Sequence, residues 1–130
     1  MSFSQQLRVA SKRIDKRGQD IFRAVYIRLF SAVIRDTPVD TGRARGNWQI
    51  SSKGPATGVL DVEDKSGSIT INTVNTFRLD KGKVVYLTNN LPYINRLEYD
   101  GWSKQAPGGM ARKNVIRFQR LLKEAVAKNR

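Results

Sequence analysis

The chain has 130 residues and a formal net charge of +13, with 24 Lys/Arg, 11 Asp/Glu and neither His nor Cys. That length suits one domain spanning 1–130. The missing residue types exclude disulfides, thiolate or imidazole metal sites and His-dependent nucleophiles, so no metal, cofactor or catalytic residue is expected.

No apolar run approaches the roughly 20 residues that span a bilayer. The start, Met1–Gln6, lacks the apolar core of a secretory leader. An intracellularly assembled product without membrane contact is expected. The charge is unevenly placed. Residues 1–35 hold eight basic against two acidic groups, residues 36–109 nine against eight, and residues 110–130 seven against one. Basic ends on a nearly neutral centre suit an acidic protein surface or nucleic-acid phosphates.

In chain order, residues 4–35 are predicted as one long helix, with Ser4 as N-cap, Gly18 as a possible bend, and a stripe of Leu7, Ile14, Ile21, Val25 and Leu29 widened by Phe22, Tyr26, Phe30 and Val33. The dense part, 20–35, is expected in the core, and 4–17 is expected to project or to meet a neighbouring subunit. Pro38 ends the helix near Asp36. Residues 46–88 are predicted as an antiparallel sheet of about three to five strands: Asn47–Lys53 with Trp48 and Ile50 inward, Val59–Val62, and a hairpin. The hairpin pairs the alternating Ser68–Val74 with Lys83–Thr88 around Asp80-Lys-Gly82. A short helix over 91–100 follows, with Asn90 as N-cap, Pro92 in the first turn, and Ile94 and Leu97 inward. An exposed loop, 101–110, leads to an amphipathic helix, 111–127, with Val115, Phe118, Leu121 and Leu122 on its apolar side. The fold class is α+β.

The chemistry concentrates at the corner Thr37–Trp48. Asp40-Thr41-Gly42 is the triplet that carries the catalytic carboxylate of aspartic proteases, so a dimeric protease is a remote alternative. Arg43 and Arg45 beside it oppose the shared-proton state, and the triplet also reads as turn chemistry. The two arginines either grip a phosphate or carboxylate bidentately, or pair with Asp36 or Asp40. Tyr86 is expected in the core, and Tyr99 and Trp102 at an interface. The basic faces are Arg13, Lys16 and Arg17 at one end and Arg117, Arg120 and Lys123 at the other. Without a helix-turn-helix or interleaved aromatics, any DNA contact would be to the backbone. A non-specific nucleic-acid-binding protein is therefore the first alternative.

Three blocks in order, Thr37-Pro-Val-Asp-Thr-Gly-Arg-Ala-Arg-Gly-Asn-Trp48, Tyr86-Leu-Thr-Asn-Asn-Leu-Pro-Tyr-Ile-Asn-Arg-Leu-Glu-Tyr99 and Gln105-Ala-Pro-Gly-Gly-Met-Ala-Arg112, carry a resemblance. From Thr37 to Arg112 the chain resembles the tail-component family of tailed bacteriophages, small neck proteins also called tail-completion or minor tail proteins. The resemblance implies a structural virion protein with an α+β fold that forms a ring, six-fold by expectation, between the head connector and the tail tube or its terminator. It is expected in the virion neck or tail, assembled in the host cytoplasm, with non-specific contact to phage DNA in the channel as a further possibility. Arg43, Trp48, Asn90, Tyr93, Glu98 and Met110 are the positions that match the family pattern. The interface candidates are Asp40, Arg43, Arg45, Tyr93, Glu98, Tyr99, Trp102, Met110 and Arg112. Residues Trp102–Gly109 are expected to act as an arm that orders on a partner. The basic helices either line the DNA conduit or dock on acidic neighbours, docking being preferred for at least one.

Overall fold

The structure, a computed structural model, describes residues 5–10, 16–78, 84–99 and 109–128, with the backbone alone for 16–19 and 121–128. It is an α+β fold. The elements are β1 (Gln5–Ala10), α1 (Lys16–Asp36), α2 (Arg43–Gly46), β2 (Gln49–Ser51), α3 (Ser68–Thr76), β3 (Val84–Asn89), α4 (Ile94–Tyr99) and α5 (Ala111–Lys128). The three strands form one antiparallel sheet in the order β1-β3-β2. Leu7 stands opposite Leu87 and Val9 opposite Val85, while Ile50 of β2 also faces Leu87 from the other side.

α1 forms the core wall. Phe22, Tyr26, Leu29, Phe30, Val33 and Ile34 are buried, at the three- and four-residue steps of one helix face. They meet Val85 and Leu87 of the sheet, Leu91 and Ile94, and Met110 at the start of α5. Each such side chain contributes about 1.5–3 kcal/mol on burial. α3 and α5 both lie against α1. The helix stops where Pro38 requires. Thr37 donates its hydroxyl to the Val33 carbonyl at 2.7 Å and its amide to Ile34 at 3.2 Å. Among the described residues no helix is long and apolar enough to cross a membrane.

Three predicted elements are corrected. The helix expected from residue 4 begins at Lys16, and Gln5–Ala10 is a strand of the protein's own sheet rather than a projection toward a neighbour. Its burial alternates: Gln5 and Leu7 are buried and Val9 half-buried, with Gln6 and Arg8 exposed between them. The seven-residue step through Ile21 that suggested a continuous helix is accidental, because Ile21 is 50% exposed. Ser4 lies outside the described residues.

The Ser68–Val74 arm of the expected hairpin is helix α3 instead, and β3 pairs with β1 and β2. Ser-Ile-Thr-Ile-Asn-Thr-Val alternates, but Thr70 and Val74, four apart, are the positions buried. Packing on α1 thus overrides the β propensity of its branched residues. The Asp80–Gly82 turn lies outside the described residues. Val59–Val62 is also not a strand. The Leu60 amide donates to Asn47 Oδ1 at 2.7 Å, so one side chain takes the place of a partner strand.

Candidate functional site

The corner Thr37–Trp48 is held from within. Gly42 has φ of +89°, and a Cβ there would lie 2.5 Å from the Lys65 nitrogen, so only glycine lets the two backbone segments touch. Its carbonyl accepts the amides of Gly46 and Asp64, both at 3.0 Å. The short helix α2 starts at the next residue.

Arg45 then reaches back across the end of α1. Its Nε donates to the Thr37 carbonyl at 2.8 Å, Nη2 to Arg35 at 2.7 Å and Nη1 to Lys65 at 2.7 Å. A helix C-terminus leaves carbonyls without partners and concentrates negative potential, and a guanidinium answers both. Trp48, 3% exposed, donates its indole Nε1 to Thr37 Oγ1 at 2.8 Å. Asn47 donates to the carbonyls of Arg43 and Leu60, at 2.8 and 3.1 Å.

A second joint ties α4 to α5. Glu98 is fully buried. Its Oε1 accepts the amides of Met110 (3.3 Å) and Ala111 (2.6 Å), and its Oε2 accepts the Arg112 amide (3.3 Å) and Arg112 Nε (2.9 Å). Arg112 Nη2 also donates to the Glu98 carbonyl. An anion here satisfies the orphan amides of the first turn and meets the positive end of the helix dipole. Gly109 has φ of +82°, and a Cβ there would lie 2.5 Å from the Glu98 carbonyl oxygen. The Arg112 guanidinium covers the exposed Tyr99 ring at 4.5 Å.

Asp64 is the third joint and the second carboxylate among them, and its role was not among the sequence expectations. Its Oδ2 accepts the amide and the hydroxyl of Thr70, both at 2.8 Å, at the first turn of α3. Burial pushes its pKa up, but hydrogen bonds from Thr70, Ile69 and Gly67 outweigh burial and hold it below the usual carboxylate value. Asn89 and Asn114 were missed as well. Asn89 donates to the Ala44 carbonyl at 2.9 Å and accepts the Leu91 amide at 3.2 Å. Asn114 donates to Asp36 Oδ2 at 2.8 Å and to the Met110 carbonyl at 2.7 Å. Asp64 sits at a spacing that could have been read as a helix start. The two asparagines carry no such local signal.

The interface candidates therefore separate. Glu98 and Met110 are buried in the chain's own core, and Arg45 spends all three of its donor groups on the corner; these three are joints of the fold, not free interface groups. Asn90 is not an N-cap: it donates to Ala56 and Gly58, and α4 begins at Ile94. Asp40 and Arg43 are exposed, and their charges act in opposite senses on the half-buried Tyr93 phenol, whose pKa burial raises. Tyr99 and Arg112 form an exposed stacked pair. Tyr86, expected in the core, is half-buried. Arg117 and Arg120 are exposed on α5. Trp102 and Arg13 lie outside the described residues, and only the backbone is described at Lys16, Arg17 and Lys123.

Among the described residues no three His, Cys, Asp or Glu side chains converge as metal ligands. No protein-family model, curated protein or solved structure matches this chain.

Proposed function

We propose that the chain is a structural subunit of a tailed-phage neck, assembling into a ring that joins the head connector to the tail tube. The observation that carries this reading is the three-block resemblance from Thr37 to Arg112. The structure supports it in one respect. Arg45, Asn47 and Trp48 of the first block, Asn89 and Glu98 of the second, and Met110 to Arg112 of the third are the residues that fasten the fold. Of the positions that match the family pattern, Trp48, Glu98 and Met110 are buried, Asn90 and Tyr93 half-buried and Arg43 exposed, so the pattern speaks for a shared architecture only in part.

The exposed groups suit assembly. Tyr99, Ile69 and Ile116 are more than half exposed, at 55%, 61% and 61%, around a strongly basic surface. The expected ring has six copies. The decisive measurements are the solution mass, expected near six times the 14.7 kDa chain mass, and images of the protein in particles. Deletion from the particle should leave headless tails beside tailless heads. Attachment of the ring to isolated tails should weaken as salt is raised. A salt-independent attachment would remove electrostatic docking from the proposal.

A second reading rests on the +13 charge: a non-specific nucleic-acid-binding protein. It requires DNA affinity that falls steeply with salt. Weak binding even at low salt would discard it.

A further inference from the structure

Between α1, α3 and α5 runs an open groove of about 470 Å³, lined by Ile27, Ile71 and Phe118 and by three arginines, Arg28, Arg35 and Arg117. Arg28 and Arg35, seven residues apart, share one face of α1 about 10 Å apart along its axis. Arg117 comes from α5. Among the described residues none of the three guanidinium groups meets a carboxylate. The groove's own acid, Asp36, is held by Lys113 at 3.5 Å and by Asn114 at 2.8 Å. Among the described residues the groove therefore carries three arginines beside Ile27, Ile71 and Phe118, and its one carboxylate, Asp36, is already taken by Lys113 and Asn114.

The opposite surface exists on the same chain. Val59, Leu60, Asp61 and Glu63 are exposed, while Val62 is half-buried and Asp64 is buried. Leu60 lines a depression beside α3 with Val62, Ile69 and Thr73. Positions 69 and 73 stand about 200° around the helix from 71 and 75, the positions that line the groove. Ribbon and groove are therefore on opposite sides of α3. Among the described residues Asp64 and Glu98 are spent as helix caps and Asp36 is paired, leaving Asp20, Asp40, Asp61 and Glu63 exposed. Only Asp61 and Glu63 stand two residues apart beside exposed apolar side chains, Val59 at 46% and Leu60 at 40%.

We infer that the ribbon Val59–Glu63 of one copy docks in the Arg28–Arg35–Arg117 groove of a second copy. Two residues apart in the chain, Asp61 and Glu63 stand at most about 7 Å apart at their Cα atoms, a span that the arginines on the groove can bracket. Val59 takes the apolar wall, for which a nucleic-acid backbone has no matching group. Because the two surfaces are different and face opposite ways, the contact is heterologous and repeats from copy to copy until a ring closes. The inference rests on the ring reading above and names the contact that builds it.

The chain lacks cysteine, which makes the test direct. In the Glu63→Cys/Arg117→Cys double variant, oxidation should give a ladder of cross-linked multimers. A mixture of the two single variants should stop at dimers, and a Glu63→Cys/Lys53→Cys control should give none. Charge reversal reads the same contact. Asp61→Lys with Glu63→Lys, or Arg28→Glu with Arg117→Glu, should weaken self-association roughly tenfold or more. Mixing the two reversed variants should restore it, since the Lys ribbon of one meets the Glu groove of the other. Unchanged thermal melts would establish that both variants fold. A wild-type ring whose mass neither reversal alters would overturn this contact and leave the ring reading standing. A chain that stays at 14.7 kDa at every concentration, with no ladder, would overturn both. Loss of DNA binding on the Arg28→Glu/Arg117→Glu change, with self-association intact, would reassign the groove to nucleic acid.

Discussion

Glu98 Oε1 lies 2.6 Å from the amide nitrogen of Ala111, so the carboxylate of one helix caps the first turn of the next. Both residues are buried. Glu98→Gln keeps the shape and removes the charge, and should lower unfolding free energy by about 1.5–3 kcal/mol. Glu98→Ala should cost more. Arg112→Met should cost less than either, because the Arg112 side chain is 45% exposed. Urea unfolding midpoints of the three variants measure the order.

Arg45 bridges the carbonyls of Arg35, Thr37 and Lys65 with one planar group. Lysine has the charge without the fork. Arg45→Lys should therefore lose about 1–3 kcal/mol, seen as a lower melting temperature. A melt equal to wild type would mean that charge alone holds the end of α1.

Gly42 and Gly54 both have positive φ, at 89° and 139°, yet their surroundings differ. A Cβ at Gly42 would meet backbone atoms of Asp64 and Lys65 at 2.5–2.7 Å, whereas one at Gly54 would meet nothing within 4 Å. Backbone strain alone costs on the order of 1–3 kcal/mol. Gly54→Ala should show only that cost, and Gly42→Ala distinctly more, by the same denaturation measurement.

Asp64 makes stability depend on acid. Its folded pKa lies below the ordinary carboxylate value, so the unfolded chain takes up the proton first as pH falls. The contribution of Asp64 is complete above about pH 4 and is lost as pH drops through the folded value. Asp64→Asn should lower stability at neutral pH by about 1 kcal/mol and make the acid limb shallower. Unfolding midpoints taken from neutral pH to about pH 3 test this; an acid limb as steep as wild type would place the titration elsewhere.

Periodic elements were legible in the sequence. The α1 stripe of Phe22, Tyr26, Leu29, Phe30 and Val33, the end of that helix at Asp36 before Pro38, the β3 segment and α5 all follow from local pattern. Gln5–Ala10 was hidden because six residues of alternation were absorbed into a longer, chance helical spacing. Ser68–Thr76 was read with the wrong period, since Ile69, Ile71 and Thr73 alternate as well as any strand. Of the candidate site, Asp40, Arg43, Tyr99 and Arg112 are exposed. The roles of Arg45 and Glu98 were not legible, because each acts on backbone atoms of another element.

The sequence by itself determined the buried face of α1 from Phe22, the end of that helix before Pro38 and the basic ends, since each depends on neighbours within a few residues. Tertiary structure alone decided what the acids do. Asp64 and Glu98 are drawn onto helix N-termini and buried, while Asp61 and Glu63 are left outside with Val59. A carboxylate is buried only where amide and guanidinium donors converge on it. Those donors come from segments that meet only in the folded chain.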